Sequence, residues 1–438
     1  MTLLAGIIGL LLLAWGWDIT TTGTGAGTLP WVVREQGLYL SGLLSIATMS
    51  LAMVLATRPV ALERPLGGMD RIYRVHKWSG ILAGIFALAH WLIEMSDDLI
   101  KSLAGRAGRP PKIEFHGLLD TLRDAGEELG EFAIYVLLAM LVLTLVRHFP
   151  YKFWRLLHRI MPALYLLLAF HAAVLTPLEY WSQPVGWLLA VLLAGGSVAA
   201  VLSLTGRIGR ERLSHGTITA VSSPVPDITE VTCLLDKQWH GHRAGQFAFV
   251  CFDRLEGAHP FTIASADRGD RTVTFQIKAL GDYTRGLARH IAPGQSVRVE
   301  GPYGRFELQR CDPRSEQIWI AGGIGITPFL AWLDALRADP ASAPAADLHY
   351  CTRDAARDPF VGRLEALCAE IPGITLHVHD SSRNEALSAG RLATLHRGAR
   401  QAEVWFCGPR GFAEQLRHGL QRTWPGRLRF HQEAFEMR

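Results

Sequence analysis

The sequence predicts a chain in three parts: a bundle of six transmembrane helices (1–206), an antiparallel β-barrel (207–311) and an α/β domain on a parallel sheet (312–438). Three observations predict it. Long apolar stretches recur only before about residue 205. Between about 215 and 308, short runs alternate apolar and polar residues and are broken by Gly and Pro. From about 316, buried-looking strands alternate with helical stretches. The length of 438 residues suits about three folded units. With 49% hydrophobic and 19% charged residues, and a mean hydropathy of +0.17, the chain is too apolar to be disordered, collagen-like or wholly soluble. A net charge of +4 gives no case for a nucleic-acid partner.

The apolar segments run over about 3–17, 38–56, 75–95, 132–146, 156–176 and 185–204. Most approach the roughly 20 residues that a bilayer requires, and the first and fourth are short. The first starts at the N-terminus, as a signal peptide would, but it lacks a basic n-region and a clear cleavage site, so a retained helix is favoured. Basic residues set the orientation. Arg58, Arg64, Arg71, Arg74 and Lys77 follow the second segment, Arg147, Lys152, Arg155 and Arg159 the fourth, and Arg207, Arg210 and Arg212 the sixth. The opposite side holds Arg34, Glu179 and an acid-rich loop over 96–131, although that loop also carries Lys101, Arg106, Arg109, Lys112 and Arg123. All six cysteines lie after residue 232 and none forms a CxxC pair, which argues against an iron–sulfur or zinc site. They read as free thiols of a reducing compartment. Both lines place the second half in the cytosol of a multi-pass membrane protein, with a bacterial inner or plasma membrane expected.

Ionisable residues inside membrane helices are costly and usually functional. The third segment contains His76 and His90, and the fifth contains His158 and His171, at intervals of 14 and 13 residues. Each interval is roughly 20 Å of helix rise. Two helices that each offer an upper and a lower imidazole can hold two bis-histidine hemes stacked across the bilayer. His76 and His158 would be the inner pair, His90 and His171 the outer. Fourteen residues return to within about 40° of the starting face, whereas thirteen miss by about 140°. Pro162, between the second pair, is expected to kink the helix and correct the phase. His116 and His148 have no such partner. Trp91 and Phe170 lie next to ligands, where either porphyrin contact or ordinary packing would suit them. Arg74, Arg155 and Arg159 suit either heme propionates or the positive-inside rule.

The segments GTITAVSS, QFAFVCF, RTVTFQIKAL and QSVRVEG read as barrel strands, and IWIAG, DLHYCT, ITLHVHD and AEVWFCG as parallel strands. ITPFLAWLDALRA and FAEQLRHGLQR read as helices between the latter. At the first βα junction, AGGIGITPF places Gly322, Gly323 and Gly325 ahead of Ile326, Thr327 and Pro328, an anion site suited to a dinucleotide pyrophosphate. Alone it is weak, because the third glycine of GxGxxG is missing.

Other motifs accompany it in order: HPFTIASA (259–266), GDYTRGL (281–287), GPYGRF (301–306), CGP (407–409) and a closing FHQEAFEMR. These resemble the ferredoxin-reductase-type flavin module. With the histidine pairs, nearly the whole chain resembles the NADPH oxidase and ferric reductase superfamily, as a prokaryotic NADPH-oxidase-like flavocytochrome b. The resemblance implies FAD, two b hemes and NADPH, with NADH possible. Phe261 would stack on the isoalloxazine, Thr262 would bond near its N5, and His259, beside Pro260, would face the FAD phosphates. Ile277, Lys278, Gly281 and Thr284 would lie along the second FAD strand and at the pyrophosphate. Gly322, Gly323, Gly325, Ile326 and Thr327 would hold the dinucleotide, with Cys407, Gly408 and Pro409 near the nicotinamide. Phe435 would cover the flavin. Thr262, Cys407 and Phe435 are the expected catalytic contacts. Arg353 and Arg383 follow strand ends where a ribose 2′-phosphate would lie, which favours NADPH.

The implied activity is transmembrane electron transfer. NADPH donates two electrons at once and heme accepts one, so a flavin must stand between them. No carboxylate relay is evident in the helices; Glu94 is the nearest candidate. The twelve residues between His158 and His171 resemble NADPH oxidases, which favours dioxygen as acceptor and superoxide as product. A ferric chelate is the alternative, and a non-enzymatic heme carrier a third. The partners implied are the lipid bilayer and a small-molecule donor and acceptor.

Overall fold

The computed structural model describes residues 1–24, 27–109, 115–146, 149, 151–225, 227–253, 256–398 and 400–432. Lys112, Arg147, His148 and Phe435 lie outside them, as does the Lys152 side chain. The chain divides into two units, Met1–Leu66 with Arg71–Ile208, and Gly209–Arg438 with Gly67–Asp70.

The first unit is helical: α1 (Thr2–Thr22), α2 (Leu29–Ala56), α3 (Val60–Leu66), α4 (Met69–Met95), α5 (Asp97–Ala104), α6 (Leu118–Leu145), α7 (Tyr151–His158), α8 (Met161–Leu175) and α9 (Pro184–Leu204). Among the described residues, six spans are long and apolar enough to cross a membrane: α1, α2, α4, α6, the α7–α8 stretch Phe153–Leu175, and α9. The centre is α2, whose Leu43, Ile46, Ala47, Met49 and Met53 pack into one core with Tyr165 of α8 and Leu189 and Leu193 of α9. The Tyr165 hydroxyl meets Ser50 Oγ at 2.9 Å. Gly196 of α9 leaves it room, because a side chain there would overlap the phenol.

Two local expectations change. The acid-rich loop over 96–131 is largely helical: α5 occupies its start, and α6 begins at Leu118 rather than near 132. Hydropathy finds only the apolar half of α6. Its first half is rich in Leu, Arg, Ala and Glu, good helix formers that carry it through Thr121, Gly126 and Gly130. Nor does Pro162 kink a continuous helix. The helix stops after His158 and restarts at Met161, with Pro162 in the new first turn, where its missing N–H costs nothing. Between them the backbone tightens into i→i−3 bonds, Arg159 N to Leu156 O at 3.2 Å and Ile160 N to Leu157 O at 3.1 Å.

The second unit opens with an antiparallel sheet of β1 (Leu213–Val225), β2 (Ile228–Leu235), β3 (Phe247–Cys251), β4 (His259–Thr262), β5 (Thr272–Lys278) and β6 (Ser296–Tyr303), with α10 (Asp282–His290) between the last two. The strand order is β4-β3-β6-β1-β2-β5. A bridge from Ile263 to Phe275 joins the two edge strands and closes the sheet into a barrel. Ile218, Val231, Val250, Phe275, Val297 and Val299 fill it.

The rest is α/β: β7 (Glu316–Gly322), α11 (Thr327–Ala338), β8 (Ala346–Thr352), α12 (Pro359–Ala369), β9 (Ile374–Asp380), α13 (Ala389–Leu395), β10 (Gln401–Cys407), α14 (Arg410–Thr423) and β11 (Arg427–Gln432). The sheet is parallel in the order β11-β10-β7-β8-β9. The strand β11 is additional to the four read from the sequence; its RLRFHQ carries too little apolar character to signal a buried strand.

Trp332 is a buried point of attachment between the barrel and the α/β domain. Trp332 of α11 is fully buried, and its indole N–H donates to Ala244 O at 2.9 Å and Phe306 O at 3.3 Å, both on barrel loops. The neighbouring Gly245 has φ +96°, and any Cβ there would overlap the Phe306 carbonyl and the Trp332 nitrogen. Gly245→Ala is therefore expected to destabilise the unit by about 3 kcal/mol. Denaturant unfolding followed by tryptophan fluorescence would measure it, and an unchanged midpoint would refute this role.

Candidate functional site

In the helical unit the four histidines meet in two pairs. The ring centres of His76 and His158 are 6.2 Å apart, and those of His90 and His171 are also 6.2 Å apart. A metal bound between two imidazoles lies about 2.0–2.1 Å from each nitrogen, and each nitrogen about 1.1 Å from its ring centre, which sums to about 6.3 Å. The ring planes cross at 80° and 86°, which such an axis allows. The spacing fits one iron per pair.

Backbone carbonyls fix the tautomers. His76 Nδ1 lies 2.8 Å from Ala52 O, His90 Nδ1 2.9 Å from Leu38 O, and His171 Nδ1 2.8 Å from Gly126 O. A carbonyl only accepts, so each Nδ1 carries the proton and each Nε2 keeps its lone pair for a metal. His158 instead stacks on Trp154, ring centres 4.7 Å apart. The sequence reading missed the glycines that admit these rings. A side chain at Gly130 would overlap His171, and one at Gly42 would sit 3.1 Å from the His90 ring. A signal was present: Gly126 and Gly130 form a GxxxG step on α6, the spacing of close helix approach. Glu94 forms an ion pair with Arg34 at 2.9 Å.

In the barrel, β4 carries His259, Pro260, Phe261 and Thr262, all half-buried. It is an edge strand, where proline is tolerated. Phe261 rests one side against the barrel core. His259 stacks on Tyr283, ring centres 4.7 Å apart and planes at 17°, which ties β4 to the first turn of α10. Sequence reading had not singled out Tyr283; burial pushes its phenol up to about 12. Thr284 Oγ1 accepts from the N–H groups of Leu280 and Gly281, each at 3.0 Å, and so shapes the turn that opens α10. The structure thus gathers His259, Phe261, Thr262, Gly281 and Thr284 at one end of the barrel. Lys278 is exposed at the end of β5. Ile277 is 2% exposed in the barrel core, so only its backbone can meet a ligand.

In the α/β domain the strand order reverses between β7 and β10, and a crevice at such a switch point is where dinucleotides bind. Gly322, Gly323, Gly325, Ile326 and Thr327 follow β7 there, and Cys407, Gly408 and Pro409 end β10. The glycines also let these two loops touch. A Cβ on Gly325 would overlap the Cys407 carbonyl, and one on Gly322 would lie 2.9 Å from Pro409 Cδ. Ile326 and Thr327 are buried at the start of α11. Arg353 and Arg383 are exposed just past the C-terminal ends of β8 and β9. The buried Asp380 carboxylate anchors both loops, accepting from Ala355 N at 3.0 Å and Ser382 N at 2.9 Å.

Gly325→Ala should push these loops apart and weaken nicotinamide dinucleotide binding at least about tenfold, with bound flavin unchanged, since the barrel is untouched. Dinucleotide titration of the purified protein checks this; unchanged affinity would contradict the assignment.

Comparison with known proteins agrees with this arrangement. Residues 41–169 match the ferric reductase like transmembrane component, and residues 216–307 match an FAD-binding domain. An NADPH oxidoreductase of Mycobacterium tuberculosis is 31% identical over 154 residues, 34% of this chain and 40% of its own length. The reductase subunit of a stachydrine N-demethylase from Rhizobium meliloti is 27% identical over 207 residues, 44% of this chain and 58% of its own length. The chain thus spans about half the length of these curated relatives. The solved flavohemoglobin of Malassezia yamatoensis, 15% identical, superposes with a TM-score of 0.50 over 94% of this chain and all of its own, a likeness of fold alone. The six apolar spans and the first match together support a multi-pass membrane protein. Together, and in this order on one chain, the two domains match the NADPH oxidase and ferric reductase superfamily.

Proposed function

We propose that the chain carries electrons across a membrane, from NADPH at its reductase unit to a one-electron acceptor on the opposite face, with dioxygen as acceptor and superoxide as product. The observation that carries this reading is the pairing of His76 with His158 and His90 with His171 at one common spacing, on the same chain as a barrel and a nicotinamide-type sheet. When bound, FAD would divide a two-electron donation into single electrons, and two b hemes would take them one at a time.

The chain's own residues supply the holding and the order. Four imidazoles would hold iron, three of them with the tautomer set by a backbone carbonyl. Phe261 presents a ring face to the flavin, Thr262 a hydroxyl, and the first turn of α10 with His259 and Lys278 meets the phosphates. The loops after β7 and β10 bind the dinucleotide, with Cys407 near the nicotinamide and Phe435 as the flavin cover. Arg353 and Arg383 neutralise a 2′-phosphate, favouring NADPH over NADH. The free cysteines and the basic turns support a cytosolic reductase unit and a bacterial plasma membrane. Dioxygen is favoured by the twelve residues between His158 and His171. A ferric chelate is the second reading, supported by the acidic Asp97, Asp98 and Asp120 within 96–131.

Two measurements test this. Protein reconstituted in vesicles and given NADPH should reduce a probe on the opposite face in a superoxide-dismutase-sensitive manner, with NADH about tenfold weaker, the scale of a lost charge-assisted contact. Flux that depends on ferric chelate and ignores the dismutase would identify the second reading, and absence of both would reject transmembrane transfer. In detergent, His90→Ala combined with His171→Ala should remove about half of the b-type absorbance and leave flavin content intact. An unaltered spectrum would overturn the outer pair.

A further inference from the structure

The parallel sheet has a second end. Seven-residue strands at about 3.3 Å per residue put it roughly 20 Å from the dinucleotide crevice. Glu316 opens β7 there, Asp347 is the second residue of β8, and His396 follows α13. One donor atom from each of the three lies within 4.8 Å of the other two. His396 Nδ1 contacts Glu316 Oε1 directly and lies 3.9 Å from Asp347 Oδ2. The His396 side chain is 4% exposed, while those of Glu316 and Asp347 are 35% and 30% exposed, so the group is rooted in the protein and open on one side.

Two of the three donors, Asp347 and His396, are braced from behind. The other Asp347 oxygen, Oδ1, accepts from His377 Nε2 at 2.7 Å. His396 Nε2 meets His349 Nε2 at 3.4 Å, and His349 Nδ1 meets His379 Nε2 at 3.0 Å. A chain of imidazoles in contact through their ring nitrogens can carry its protons in either direction. With the proton on His396 Nδ1, Glu316 accepts it. With each proton moved to the far nitrogen of its ring, His396 Nδ1 offers a lone pair and no proton is lost overall. Among the described residues, the ion pairs of Glu316 and Asp347 are with histidines, so two carboxylates stand without Lys or Arg.

We propose that Glu316, Asp347 and His396 form a divalent transition-metal site, with His377 and His349 as the residues that orient the ligands. Two oxygens, one imidazole nitrogen and an open fourth position suit Zn²⁺ with a bound water. The site pins the end of α13 to β7 and β8. It plays no part in the electron path.

The test uses the full chain in detergent, stripped with a chelator, loaded with zinc chloride and desalted. Elemental analysis should find one zinc per chain, counted apart from iron. X-ray absorption at the zinc edge should show only nitrogen and oxygen neighbours at about 2.0–2.1 Å. Asp347→Asn and Glu316→Gln should each weaken retention at least about tenfold at unchanged flavin content. No zinc retained by the wild type, a sulfur neighbour, or equal retention by both variants overturns the proposal. Should either variant misfold, the wild-type stoichiometry and edge spectrum decide alone.

Discussion

An imidazole can serve a metal inside a lipid-facing bundle only if its other nitrogen is satisfied and its ring is held still. For three of the four histidines in the helical unit this is met by carbonyls of neighbouring helices, and His158 is held by stacking on Trp154. Ala52, Leu38 and Gly126 each take an Nδ1 proton, which sets both the tautomer and the ring position. The small residues follow from it. Gly42 and Gly130 stand where a ring lies against a helix backbone, and Gly126 where Val174 of α8 packs close. The break at Arg159–Ile160 follows as well, because a regular helix would turn His158 and His171 to different faces.

The reductase unit meets a different constraint. A flavin and a nicotinamide must approach each other, so barrel and sheet have to be joined without a ligand's help. Trp332 does this with one donor shared between two barrel carbonyls, and Gly245 clears the space. At the switch point the backbones after β7 and β10 press together through Gly322, Gly325 and Gly408. These glycines thus shape the crevice as much as they admit a ligand. The polar cluster at the far end of the sheet is built on the same strands, yet faces the opposite way.

Much of this was legible in the residues, because the signals were local. Apolar length marked the spans, alternation marked the barrel, and buried-looking strands between helical stretches marked β7, β8, β9 and β10. Boundaries failed where polarity and helicity disagree. The first half of α6 is acidic and still helical, and β11 is basic and still a strand, because Val404 and Phe406 beside it bury what little apolar surface it has. The four histidines stood out by type and interval, and Arg353 and Arg383 by their place after strands.

The sequence by itself determined the kinds of element, their order and the chemical types at the sites, since these depend on neighbours along the chain. Only the tertiary structure decided which atoms meet. It set the common 6.2 Å spacing of the histidine pairs, the stacking of His259 on Tyr283 and the gathering of Glu316, Asp347 and His396. The physical reason is that such contacts join residues far apart in the chain, and their distances are fixed by how helices and sheets pack, not by any local propensity.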